Sequence, residues 1–142
     1  MRFVTLPNGT CSDGIEFCCA DALNTGLDNN SVDVVVSFET LEHVPHDEQL
    51  IAEFLRILKP GGLLICSTPN QWPLEIAPYH VKEYDLKEFK RVLETQFSVV
   101  EMFNQNSGTA FQFNREQGKG VIPTTEDNQY LAECFVAVAQ KH

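Results

Sequence analysis

The chain has 142 residues, enough for one domain with a real core, and its apolar fraction of 43% is that of a globular protein, not a disordered one. A net charge of −10 repels phosphate backbones and makes nucleic acid a disfavoured partner. No apolar run approaches the roughly 20 residues that span a bilayer, and the first residues lack a signal-peptide core, so no membrane partner is expected.

Residues 1–14 read as a weakly patterned leader, with a turn at Pro7-Asn8-Gly9. Residues 15–19 predict a short strand ending at Ala20-Asp21-Ala22. After the polar turn Asp28-Asn29-Asn30-Ser31, the β-branched run 32–36 is too short for a helix and predicts a strand buried on both faces. At its carboxyl end the composition switches to Ser37, Phe38, Glu39, Thr40, Leu41, Glu42 and His43. Open α/β sheets place their ligand crevice at such a strand end. A helical turn there would put Glu39, Glu42 and His43 on one face, at i, i+3 and i+4.

Residues 47–58 predict the clearest helix: Leu50, Ile51, Phe54, Leu55 and Leu58 recur at helical spacing, and Asp47 and Glu48 suit its first turn. Lys59-Pro60-Gly61-Gly62 stops it. Residues 63–67 predict a second buried strand, followed by a proline-containing loop to His80. Residues 85–95 predict a second amphipathic helix, capped by Asp85 with Glu88 three residues on. A strand follows at 97–103, then a long polar loop at 104–128, then a closing strand at 130–139. The whole is one α/β domain with a parallel sheet, whose last two strands have no helix between them and pair as an antiparallel hairpin. The five cysteines (Cys11, Cys18, Cys19, Cys66, Cys134) are odd in number and lack metal-site spacing. All but Cys11 fall in predicted strands, which reads as buried reduced thiols in a cytoplasmic protein.

Taken in order, CADAL (19–23), DNNSVDVVVSFETLEHV (28–44), LKPGG (58–62), STPN (67–70), HVKEYDLKEF (80–89) and FVAVAQK (135–141) resemble the later two-thirds of a class I S-adenosylmethionine-dependent methyltransferase. The resemblance implies a Rossmann-like sheet, S-adenosylmethionine as cofactor, Asp21 and Ala22 against its adenine, and Ser37, Phe38 and Glu39 lining the cofactor and substrate pocket. The family's first strand, glycine-rich turn and acid at the end of the second strand have no counterpart before Ile15. The chain therefore reads as truncated at its N-terminus. Loss of those two strands would leave the 32–36 strand with an open apolar edge. Either the 15–19 strand moves in beside it or a second copy covers it, and a homodimer through that edge is expected.

The Glu39-x-x-Glu42-His43 run, with His80 after the TPN loop, resembles two metal-assisted groups, the ubiquinone-biosynthesis O-methyltransferases and the small-RNA terminal 2′-O-methyltransferases. The former is closer in motif pattern. That likeness implies Glu39, Glu42, His43 and His80 as ligands of Mg²⁺ or Mn²⁺ that orients and acidifies an acceptor hydroxyl. The same Glu42-His43 pair also occurs in metal-free members, where it orients the following helix or His43 is a general base. Glu42 and His43 are thus the catalytic candidates. Trp72 beside Pro73 is an acceptor-binding or a packing aromatic; Phe111 and Phe113 sit in a substrate lid or a small hairpin. Two functions follow: a methyltransferase acting on a small-molecule, hydroxyl-bearing acceptor, or a non-catalytic methyltransferase-like remnant serving interaction or oligomerisation.

Overall fold

The computed structural model describes residues 18–71, 77–106 and 120–142. Its elements run β1 (Val32–Ser37), α1 (Asp47–Ile57), β2 (Leu58–Pro69), α2 (Leu86–Glu94), β3 (Val99–Asn106), β4 (Gly120–Pro123) and β5 (Cys134–Gln140), with 3-10 turns at Leu41–His43 and Gln129–Leu131. They form one sheet of order β1-β2-β5-β3-β4. β1 and β2 are parallel. β5 enters antiparallel between β2 and β3, the pairing expected where no helix crosses over. β4 pairs antiparallel with the far edge of β3 and covers part of the stretch read as loop.

The helical spacing of Leu50, Ile51, Phe54 and Ile57 turns all four to the interior, each at most 7% exposed. α1 passes directly into β2 at an extended Leu58, so the Lys59-Pro60-Gly61-Gly62 stop lies inside a strand and not in a loop. Gly62 is required there, because a Cβ would come within 2.9 Å of the Asp33 and Lys59 carbonyl oxygens. Lys141 closes the helix end, its Nζ donating to the Leu55 and Leu58 carbonyls at 2.7 and 2.6 Å and to Asn30 Oδ1 at 2.8 Å. α2 begins where Asp85 accepts from the Glu88 amide at 2.7 Å.

Among the described residues both helices lie on one face of the sheet. They pack with Tyr84 and Phe97 against Leu64 and Cys66 of β2 and Phe135, Ala137 and Ala139 of β5. The alternate residues, Leu63, Ile65, Val136 and Val138, are only half-buried. Among the described residues β1 is an edge strand, with Val34 and Val36 47% and 56% exposed, which corrects the expectation of a strand buried on both faces. Its composition reads as buried, but burial depends on what lies beside it, a non-local property. Residues 18–20 are not in a strand and do not cover that edge; residues 15–17 lie outside the described residues. The thiol expectation changes with this. Cys66 is buried and Cys134 half-buried, but Cys18 and Cys19 are exposed, having no strand partner to bury them. Cys11, Trp72, Pro73, Phe111 and Phe113 lie outside the described residues. No helix among the described residues is long and apolar enough to cross a membrane.

Candidate functional site

A cavity of about 380 Å³ opens at the carboxyl end of β1, lined by Cys18, Ala20, Asp21, Ala22, Thr25, Leu27, Val36, Ser37, Phe38, Thr40 and Phe54. Its volume falls in the range of small-molecule sites. Asp21, Ala22, Ser37 and Phe38, named from sequence for a cofactor, share this one wall. Asp21 opens a tight turn: its carbonyl accepts from the Asn24 amide at 2.9 Å and its Oδ1 from the Leu23 amide at 3.0 Å. Among the described residues its second carboxylate oxygen has no partner and is an acceptor for a ligand's donor. Phe38 is 57% exposed and offers an apolar ring face to a planar group.

Sequence reasoning missed the opposite wall, Thr25 and Leu27, because what holds it is non-local. The Thr25 amide and hydroxyl donate to Glu53 Oε1 on α1 at 2.8 and 2.6 Å. Arg56 donates to both Glu53 oxygens at 2.8 Å and to Asn29 Oδ1 at 2.7 Å. The guanidinium beside it, against the opposing effect of burial, draws the Glu53 carboxyl down from 4.5 to about 2. A carboxyl depressed in the folded state stabilises above its unfolded pKa, and that contribution disappears as pH falls through the folded value. The chain is therefore expected to lose stability between pH 4.5 and 2. Glu53→Gln should cost about 1–2 kcal/mol at neutral pH and flatten that acid slope. Urea midpoints across pH check this, and an unchanged slope in the variant would refute it.

Beyond Thr40 the chain makes its 3-10 turn, and here the four proposed metal ligands divide. Glu39 stands before the turn at φ +49°, an uncommon conformation for a residue with a side chain. It is held there by β2: its amide approaches Ser67 O and Oγ, both at 3.2 Å. Its Oε1 accepts from Ser67 Oγ at 2.6 Å, and its Oε2 lies 3.7 Å from Cys134 Sγ. The expected one-face alignment of Glu39 with Glu42 and His43 does not form, because only Leu41–His43 turns helically.

Glu42, His43 and His80 do converge, one donor atom from each lying within 4.8 Å of the others. Glu42 is 1% exposed, and its Oε1 has no hydrogen-bond partner. That atom is 3.8 Å from His43 Nε2, while Oε2 accepts from Thr68 Oγ1 at 3.3 Å. Burial pushes the Glu42 carboxyl above its ordinary pKa and Glu39 adds to this, against the pull of its own amide and of the two imidazoles. His43 Nδ1 lies 2.9 Å from the Tyr79 carbonyl oxygen and His80 Nδ1 2.7 Å from Glu83 Oε1. A carbonyl and a carboxylate only accept, so each Nδ1 carries a proton and Nε2 is the ring nitrogen turned away from these partners. The rings meet edge to face at 4.8 Å.

The segment carrying His80 is fastened to α1 and to the turn. The Val81 and Lys82 amides donate to the Glu42 carbonyl at 2.7 and 3.3 Å. Lys82 Nζ and the buried Tyr84 hydroxyl each donate to Asp47 Oδ2 at 2.8 Å. Burial opposes ionisation of Asp47, but these donors outweigh it and its pKa falls below the ordinary value. Asp47 was legible from sequence as a first-turn acid, but not as the anchor of a loop 35 residues on.

Residues 4–66 match the family described as a methyltransferase domain, a match that reaches back into the stretch read as leader. A Mycolicibacterium smegmatis protein named "Probable S-adenosylmethionine-dependent methyltransferase" is 37% identical over 81 residues, covering 53% of this chain and 32% of that protein. The Oryza sativa "Probable tocopherol O-methyltransferase, chloroplastic" is 30% identical over 86 residues, covering 61% and 24%. The matched stretch thus spans a third or less of these relatives. Among solved structures, the methyltransferase of the Haloferax volcanii complex with the Trm112 methyltransferase activator superposes with a TM-score of 0.69 at 18% identity, covering 93% of this chain and 64% of that one. An Archaeoglobus fulgidus S-adenosylmethionine-dependent methyltransferase gives 0.67 at 16%, covering 92% and 70%. The sheet is that of the Rossmann-like class I methyltransferase fold, and the sequence matches are to a methyltransferase domain and to S-adenosylmethionine-dependent methyltransferases.

Proposed function

We propose that this chain is a class I S-adenosylmethionine-dependent methyltransferase that acts on a small molecule, at a hydroxyl oxygen. The observation that carries the reading is the cavity at the end of β1, which gathers Asp21, Ala22, Ser37 and Phe38 where open α/β sheets bind ligands. Asp21, through its second carboxylate oxygen, would accept from the adenine or ribose side of the cofactor, and Phe38 would cover its flat face. The cofactor, when bound, supplies an electrophilic methyl group on sulfur. Thr40 joins the cavity wall to the turn bearing Glu42 and His43, so an acceptor reaching past Thr40 meets the His43 imidazole. With Nδ1 fixed on the Tyr79 carbonyl, Nε2 is free to take the acceptor's proton. An oxygen acceptor is favoured by the O-methyltransferase among the relatives, and the ExxEH run supports kinship with the ubiquinone-biosynthesis group.

A second reading, a non-catalytic module that associates with a second copy through β1, is favoured by the edge that the described residues leave uncovered and by its exposed Val34 and Val36. Calorimetric titration of the 142-residue chain with S-adenosylhomocysteine separates the two. Micromolar binding that weakens at least about tenfold in Asp21→Ala and Phe38→Ala is expected, roughly 1.4 kcal/mol for each lost contact. Absence of binding, with a dimer in light scattering, would remove the enzymatic reading and leave the second.

A further inference from the structure

We propose that Glu53 is a positioning residue for the cavity at the end of β1: from α1, and without lining the cavity itself, it holds the wall formed by Thr25 and Leu27 in the shape that binds ligand. That the ligand is the cofactor rests on the methyltransferase reading; the dependence of the wall on Glu53 does not. The wall has little else to hold it. Residues 25–28 belong to no helix, strand or turn, and among the described residues no backbone–backbone hydrogen bond reaches them. Gly26, at φ +76°, turns the chain between Thr25 and Leu27. A segment of that kind takes its conformation from the side chains that satisfy its backbone.

Those side chains come from one turn of α1. Glu53 Oε1 accepts from the Thr25 amide at 2.8 Å and from its hydroxyl at 2.6 Å. With its proton committed to Glu53, the same hydroxyl accepts from the Leu27 amide at 3.3 Å. The carboxylate thus sets Thr25 directly and Leu27 at one remove. Arg56 fixes the carboxylate in turn, with Nε on Oε2 and a terminal nitrogen on Oε1, both at 2.8 Å, while its other terminal nitrogen reaches Asn29 Oδ1 at 2.7 Å. The Arg56 and Ile57 carbonyls accept from the Asn30 and Ser31 amides at 3.0 and 2.8 Å. The loop is therefore pinned to α1 at both ends, and Phe54, next to Glu53, lines the cavity itself. Glu53 is 7% exposed, so these charge-assisted bonds are made away from bulk water.

The effect on binding follows from population. A ligand that needs the ordered wall binds with an affinity reduced by the fraction of chains in which the wall is ordered. If removal of the Glu53 carboxylate leaves about one chain in ten with the wall in place, affinity falls about tenfold although no contact with the ligand has been lost. In the methyltransferase reading Asp21 and Phe38 touch the cofactor, whereas Glu53 acts through Thr25.

The test has two readouts on the full chain. Amide hydrogen exchange of the cofactor-free protein reads the wall: Glu53→Ala should speed exchange at Thr25 and Leu27 at least about tenfold and leave the amides of β2 and β5 unchanged. Calorimetric titration with S-adenosylhomocysteine reads the consequence. Its Kd should rise at least about tenfold in Glu53→Ala and about three- to tenfold in Thr25→Val, which keeps the side-chain shape and removes the hydroxyl. Thr25→Ser, which restores the hydroxyl, should stay within about twofold. Asp85→Ala removes the cap of α2 and lowers stability without touching the cavity lining, so it should leave Kd within about twofold. Should Glu53→Ala fail to fold, Thr25→Val against Thr25→Ser still decides, with exchange at Leu27 as its wall readout. Unchanged exchange at Thr25 in Glu53→Ala, faster exchange with unchanged affinity, or equal weakening in Asp85→Ala would each overturn the proposal. If the wild-type chain binds no S-adenosylhomocysteine, the methyltransferase reading falls, and exchange alone decides whether Glu53 holds the wall.

Discussion

Asp47→Ala is expected to lower stability by about 3 kcal/mol, the largest loss from any single polar side chain described above. Three partners are stranded at once. The Tyr84 hydroxyl, in a fully buried residue, loses its acceptor, and an unsatisfied buried donor costs about 1–3 kcal/mol. Lys82, whose side chain is 31% exposed, also loses its partner, but water can replace part of that interaction. The first turn of α1 loses a negative charge at its positive end, about 0.3–1 kcal/mol. Asp47→Asn keeps an oxygen for Tyr84 and should cost roughly half as much. The cause is separable by a double-mutant cycle: in a Tyr84→Phe background Asp47→Ala should cost at least about 1 kcal/mol less. Urea denaturation supplies the numbers, and strictly additive losses would show that the hydroxyl contributes nothing. Because Lys82 and Tyr84 flank the segment that presents His80, the same variant should also loosen the His43–His80 contact.

That dependence explains which parts of the fold were readable from the chain alone. Leu50, Ile51, Phe54 and Ile57 announce α1 because helical burial depends on spacing within eleven residues. Asp85 announces α2 because a cap needs only a partner three residues away. β1 is legible as a strand from its valines, yet its place at the edge is not, since no residue within it records which strand comes next. β4 was hidden because all four of its residues are exposed and show no alternation. Glu39 was misassigned for the same physical reason. Helical spacing would set it beside Glu42, but Ser67, 28 residues on, holds it in a left-handed turn. The pocket residues Asp21, Ala22, Ser37 and Phe38 came from motif resemblance, whereas the orienting Tyr79 carbonyl could have come from no motif, being backbone.

The other large effect expected concerns chemistry, not stability. His43→Ala should slow methyl transfer by about 10²- to 10⁴-fold, the usual contribution of a positioned acid–base group, or about 3–5 kcal/mol of barrier. It should leave affinity for S-adenosylhomocysteine within about twofold, because His43 is not among the residues lining the cavity below β1. The asymmetry follows from the geometry. The Tyr79 carbonyl fixes the ring with Nε2 turned toward Glu42, and removing a base at that nitrogen disables deprotonation and not cofactor capture. A rate that falls in step with cofactor affinity would mean that His43 merely supports the turn, and an unchanged rate would remove it from the reaction. Added imidazole tests the role directly, because a free base can replace the ring's proton transfer. Recovery of rate with imidazole, at unchanged cofactor affinity, is expected if His43 is the base, and no recovery would count against that role.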